Sequence, residues 1–149
     1  MIQCMEVLPH LWISDKPKQL QFLKMKNIKS IVYLSKYAKL IKNINTEQIQ
    51  IGIHITDNNK SDNINAFQHL YDVTNFIFEK IYNNKNILII GNEKDESVLY
   101  LFILSYYIRY GKLDIKNSLL FLETKIKMKY FHFHDALFKF YNQINKNIV

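Results

Sequence analysis

The residues best placed to do chemistry in this sequence run from position 86 to 97, Asn-Ile-Leu-Ile-Ile-Gly-Asn-Glu-Lys-Asp-Glu-Ser. Residues 87–90 are apolar without alternation, the pattern of a strand covered on both faces of a parallel sheet. Asp95, Glu96 and Ser97 carry helix N-terminal chemistry, and the apolar run 98–108 continues a helix that Gly111 and Lys112 stop. A strand feeding a helix through a short polar loop is a natural anion site, because orphan backbone N–H groups and the helix dipole both favour negative charge there. The reactive groups such a site needs are absent. There is no cysteine and no arginine between residues 86 and 108: Cys4 lies near the N-terminus and Arg109 at the wrong end of the helix. Ser97 sits at the junction, yet no Gly-x-Ser-x-Gly elbow surrounds it and no histidine is near it in sequence, which makes it a capping residue rather than a nucleophile.

Other chemistry-bearing residues form no complete set. His132 and His134, two apart, would share a face on a strand and could begin a zinc site, but no second pair with ligand spacing exists. Phe131-His132-Phe133-His134-Asp135 therefore reads as packing and capping, and His10, His54 and His69 give no constellation. No metal or cofactor is called for. The aromatic residues Phe138, Phe140 and Tyr141 read as a core-facing helix stripe.

The elements that must position the junction follow from periodicity. Residues 5–13 read as two short strands joined at Pro9-His10, and Pro9 keeps that joint at an edge or turn. Leu20, Phe22, Leu23 and Met25 give a short helix with Pro17 in its first turn. Residues 28–34 are β-branched and aromatic, a core strand. Ile49, Ile51, Ile53 and Ile55 alternate with polar or small residues, predicting a half-buried strand. Residues 57–63 predict an exposed polar loop, and residues 64–82 carry apolar positions at helical spacing. Two more helices are predicted, at about 115–125 and 135–143. Strands alternating with helices argue for an α/β fold around a largely parallel, twisted sheet flanked by helices.

With 149 residues, two prolines and three glycines, the chain reads as a single domain over 1–149. One cysteine allows no intramolecular disulfide, no signal-like start is present, and no apolar run reaches membrane-spanning length. A cytoplasmic or nuclear protein is expected. The net charge of +7 suits nucleic acid or an acidic partner, but the lysines look evenly spread. Nineteen of the twenty basic residues are lysine, which leaves almost no bidentate phosphate or guanine recognition and argues against nucleic acid.

In this order the pieces resemble the dual-specificity branch of the protein tyrosine phosphatases, from about Glu6 to Ile144. Glu6-Val7-Leu8-Pro9-His10-Leu11-Trp12-Ile13 is similar to that family's opening strands, Asn27-Ile28-Lys29-Ser30-Ile31-Val32-Tyr33-Leu34 to its second core strand, and Ile53-His54-Ile55-Thr56-Asp57-Asn58 to the segment carrying its general acid. Active members place a histidine, a cysteine, five residues and then an arginine at the strand-to-helix junction. The loop amides lower the cysteine's pKa so that it attacks phosphorus as a thiolate, the arginine grips phosphate oxygens, and an aspartic acid protonates the leaving group.

The resemblance puts that histidine at Ile90, the cysteine at Gly91, a loop glycine at Lys94 and the arginine at Ser97. Asp57 takes the general-acid position, with Asp62 as runner-up, and without a nucleophile a turn role fits either better. Gly91-Asn92 is similar to the Gly-Asn that replaces the cysteine in the Ser/Thr/Tyr-interacting pseudophosphatases, although those relatives keep the arginine. Lys94 stands where a tight bend would demand positive φ, which lysine tolerates poorly. Residues 92–96 hold three carboxylates and one ammonium, so an amide cradle survives there only if those side chains point outward. The implied function is a catalytically inactive scaffold that binds a protein partner independently of phosphorylation, with room for a homodimer. The competing readings are a hydrolase with a remodelled non-cysteine site and a lysine-rich nucleic-acid-binding protein.

Overall fold

A computed structural model describes residues 4–146. The elements in chain order are β1 (Met5–Leu8), β2 (Leu11–Ser14), α1 (Leu20–Met25), β3 (Ile28–Tyr33), β4 (Glu47–Gln50), α2 (Asn59–Tyr82), β5 (Asn86–Ile90), α3 (Ser97–Gly111), α4 (Ile115–Glu123) and α5 (His134–Lys146). The strands form one sheet in the order β1-β2-β5-β3-β4. β1 runs antiparallel to β2 through the Pro9-His10 turn, and every other pairing is parallel. This is the α/β architecture the sequence predicts.

The side-chain period of two explains the unbroken apolar runs. Ile87 and Ile89 of β5, Val32 of β3, and Leu11 and Ile13 of β2 face a large core shared with α2, α3 and α5. Leu88, Ile90, Ile31 and Tyr33 point the other way, into a smaller core closed by Leu23 of α1, Trp12 and Phe22. Central strands buried on both faces have no polar face to show. α3 lies deepest, with every residue from 97 to 108 buried, so it is apolar all round. Among the described residues no helix is long and apolar enough to cross a membrane.

Several predicted boundaries move, each for a physical reason. Of the alternating isoleucines only Ile49 lies in a strand: β4 ends at Gln50, and residues 51–56 run on outside the strand. β3 ends at Tyr33, whose carbonyl accepts from Ile51 N–H at 2.8 Å as the last bond between the two segments; Ile53 beyond it is fixed by its carbonyl, which accepts from Lys36 N–H. The predicted loop 57–63 is mostly the first turns of α2, which begins at Asn59. Asn58 caps it, accepting from Ser61 N–H, and Asp62 and Asn63 are buried instead of exposed. Pro17 lies outside α1, whose N-cap is Gln19. The left-handed residue that ends α3 is Lys112 (φ 58°), with Gly111 still helical. In α5, Phe140 is buried but Phe138 is 60% exposed, so the aromatic stripe is narrower than predicted.

Candidate functional site

The junction forms where the sequence places it. β5 ends at Ile90, a six-residue loop follows, and Ser97 opens α3. Gly91 remains tied to the sheet, its N–H donating to Ser14 O at 2.9 Å. A Cβ on Gly91 would meet Leu99 at 3.5 Å, an ordinary contact, and its φ is not left-handed, so a side chain has room there.

Asn92 fixes the loop to the rest of the fold. It is 5% exposed, and its Nδ2 donates to Leu34 O (3.0 Å) and Ile53 O (3.2 Å), joining the end of β3 to the segment beyond β4. Its Oδ1 accepts from Lys94 N–H at 2.9 Å. Sequence reasoning saw Asn92 only as half of a dipeptide. Lys94, expected at positive φ, is absent from the left-handed residues, so the lysine imposes no such strain on the loop.

Asp95 occupies the helix start. Its Oδ1 accepts from Ser97 N–H (2.9 Å) and Ser97 Oγ (2.7 Å), and its Oδ2 lies 2.7 Å from His132 Nδ1. The carboxylate therefore turns inward, onto the amide that an anion would use. The Val98 and Leu99 amides bond the carbonyls of Asp95 and Glu96. Glu96 accepts from Tyr100 OH at 2.8 Å; burial first, then this bond, raises the Tyr100 pKa.

His132, read from sequence as a packing and capping residue, has a partner that no spacing points to. No strand forms at 132–134; His134 opens α5, and His132 alone reaches the loop, across 37 positions. Among the described residues no His/Cys/Asp/Glu group could hold a metal ion. Ser97 is 1% exposed; its hydroxyl donates to Asp95 and faces the His132 backbone N–H at 3.4 Å, leaving the imidazole engaged with the carboxylate rather than with the serine. A serine nucleophile needs the reverse arrangement, with the ring nitrogen on the hydroxyl.

A cleft of about 600 Å³ opens over the loop. Asp57, Asp62, Asp95, Glu96 and Asp135 line it against only Lys94 and Lys129, with His132 and His134 alongside. Asp57 adopts φ 67° just before the α2 cap, a conformation that aspartate tolerates. Asp62 Oδ1 accepts from Thr56 N–H (2.9 Å) and Thr56 Oγ1 (2.8 Å), which makes it a fastener of that turn. The residues that could have supplied missing chemistry are engaged elsewhere. Arg109 lies 3.8 Å over the Tyr71 ring and donates to Tyr71 O (2.7 Å), holding α3 to α2. Cys4 packs into the smaller core, where burial raises its pKa and keeps it a thiol.

The chain is similar to solved structures over nearly its full length. A variant of human DUSP28 gives a TM-score of 0.79 at 12% identity, covering 98% of this chain and 99% of that one. The fold is that of the dual-specificity phosphatases. Human tyrosine phosphatase-like serine/threonine/tyrosine-interacting protein gives 0.72 at 16% identity, covering 96% and 97%. A leucine-rich repeat and phosphatase domain protein from Entamoeba histolytica gives 0.73 at 13%, covering 96% and 93%. At such identities the likeness speaks for the fold alone. No protein-family model matches the sequence, and no curated protein matches it.

Proposed function

We propose that this protein is a catalytically inactive member of the dual-specificity phosphatase fold that works as a protein-binding module, competing with active phosphatases or anchoring their partners. The observation that carries this reading is the filled loop: Asn92 Oδ1 occupies the Lys94 amide and Asp95 Oδ1 the Ser97 amide. Gly91 stands at the nucleophile position and Ser97 at the arginine position, so the thiolate and the oxyanion clamp are both missing. Five carboxylates around the cleft further disfavour a phosphate dianion. Partner binding is accordingly independent of phosphorylation and uses surfaces outside the cleft. The serine-hydrolase alternative is weakened by the burial and bonding of Ser97.

Isothermal titration with a captured partner in phosphorylated and unphosphorylated forms tests the proposal. Equal affinities are expected; a preference above about tenfold, or ~1.4 kcal/mol, for the phosphorylated form overturns it.

A further inference from the structure

The evenly spaced lysines of the sequence are not evenly placed in charge. Between residues 16 and 46 there are eight lysines and no carboxylate, whereas the rest of the chain holds twelve cations and thirteen carboxylates. This segment contains α1, β3 and the loop to β4, and it covers the smaller-core face of the sheet. Seven of the eight lysines are exposed and Lys18 is half-buried. None of them has an ion-pair partner among the described residues, and Glu47, the next acid along the chain, is held by Lys80 at 3.0 Å.

Apolar surface lies among these charges. Met25 is 71% exposed, Leu40 45% and Leu20 39%. A groove of about 350 Å³ runs between α1 and residues 43–46, with Leu20, Leu23 and Ile44 among its walls and Lys24 and Lys29 beside them. A groove in which Leu20 and Ile44 stand among Asn27, Asn43, Asn45 and Thr46, with unpaired ammonium groups beside them, matches an extended or helical peptide bearing both carboxylates and apolar side chains. Nucleic acid fits it less well. The segment has no arginine for bidentate contacts, and Lys18 and Lys26 already cover the rings of Phe22 and Trp12 on which bases could stack. A lipid surface would use the lysines and the Met25 tip but has no use for a groove.

We propose that the α1 face is a docking surface for an acidic segment of a partner protein, with carboxylates against Lys24 and Lys29 and apolar side chains in the groove beside Leu20 and Ile44. The inference rests on the protein-binding reading above and names the surface and the partner's chemistry.

Fluorescence anisotropy with a labelled peptide of interleaved glutamate and leucine tests it. The variants are Lys24→Gln/Lys29→Gln and Lys24→Glu/Lys29→Glu, with Lys112→Gln/Lys116→Gln as a control away from α1. Circular dichroism melting verifies folding, and the milder glutamine pair keeps the test valid if charge reversal perturbs α1. The glutamine pair is expected to weaken binding by at least about tenfold and the glutamate pair further, while the control changes it less than about twofold. Equal losses in the control, no binding of the peptide, or tighter binding of phosphatidylserine vesicles or duplex DNA than of the peptide would each overturn the proposal. Aryl-phosphate turnover on the same preparations separates the two readings. Turnover beside patch-dependent peptide binding sinks the inactive-module reading alone; patch-independent binding without turnover sinks the docking surface alone.

Discussion

Replacing Asp95 with alanine should destabilise the protein more than any other single change in the loop that spares Asn92. The carboxylate is 14% exposed and makes three short contacts, two to Ser97 and one to His132. Loss of the oxygen that takes the Ser97 amide, one residue before the Glu96 N-cap, costs about 1 kcal/mol. Stranding the Ser97 hydroxyl, on a residue 1% exposed, costs a further 1–3 kcal/mol or so. The bond to His132 is half open to water on the imidazole side, so its loss adds roughly 0.5–1 kcal/mol. These contributions share partners and do not add fully, which sets the expected loss at about 3 kcal/mol. For a chain of this length that is a fall in Tm of roughly 6–12 °C. Asp95→Asn keeps an acceptor for the Ser97 amide and should lose only about 1 kcal/mol. Urea denaturation of both variants beside exposed Glu93→Ala measures the differences. If Asp95→Ala costs no more than Glu93→Ala, the inward carboxylate is not what holds the loop, and the argument for a filled cradle fails.

Asn92→Ala strands the Leu34 carbonyl and the Lys94 amide and leaves the Ile53 carbonyl to Lys36 N–H alone, so a loss of about 2 kcal/mol in the same assay is expected, and a loss under ~1 kcal/mol would refute its fastening role. Lys112→Gly should stabilise by about 1 kcal/mol, read as a rise in Tm, because glycine adopts φ 58° without the cost of a Cβ. Burial pushes the Tyr106 and Tyr107 phenols up to about 12; a pKa raised in the folded state favours folding below the unfolded value and is lost above it. Stability should therefore fall as pH rises from about 10 to about 12, and Tyr107→Phe should lessen that fall. Gly91→Cys/Ser97→Arg should restore no phosphatase turnover while Asp95 remains: the glycine site has room, but the carboxylate still faces the amide and would pair with the new guanidinium.

The centre of the fold was legible because its signals are local. A doubly covered strand has no polar residue to interrupt it, and β5 runs as Asn86–Ile90 with α3 opening at Ser97. The misreadings share another cause, in that the deciding partner lies far away in sequence. Alternation from Ile49 to Ile55 extends a strand signal past Ile51, where the neighbouring β3 has already ended. Asn63 looks like a loop residue until His132 O and Ala136 N–H, 69 and 73 positions on, come within bonding distance. His132 meets Asp95 only once α5 packs beside α3, and no spacing rule finds a pair 37 residues apart. The basic face was hidden differently: even lysine spacing conceals a missing set of carboxylates.

The most direct measurement of the central claim is hydrolysis of an aryl phosphate by the purified wild-type protein. The proposed inactivity, with Gly91 and Ser97 at the positions the family resemblance assigns to a thiolate and a guanidinium, predicts a rate indistinguishable from buffer. Turnover that persists through purification and disappears with a substitution at Gly91 or Ser97 would contradict it.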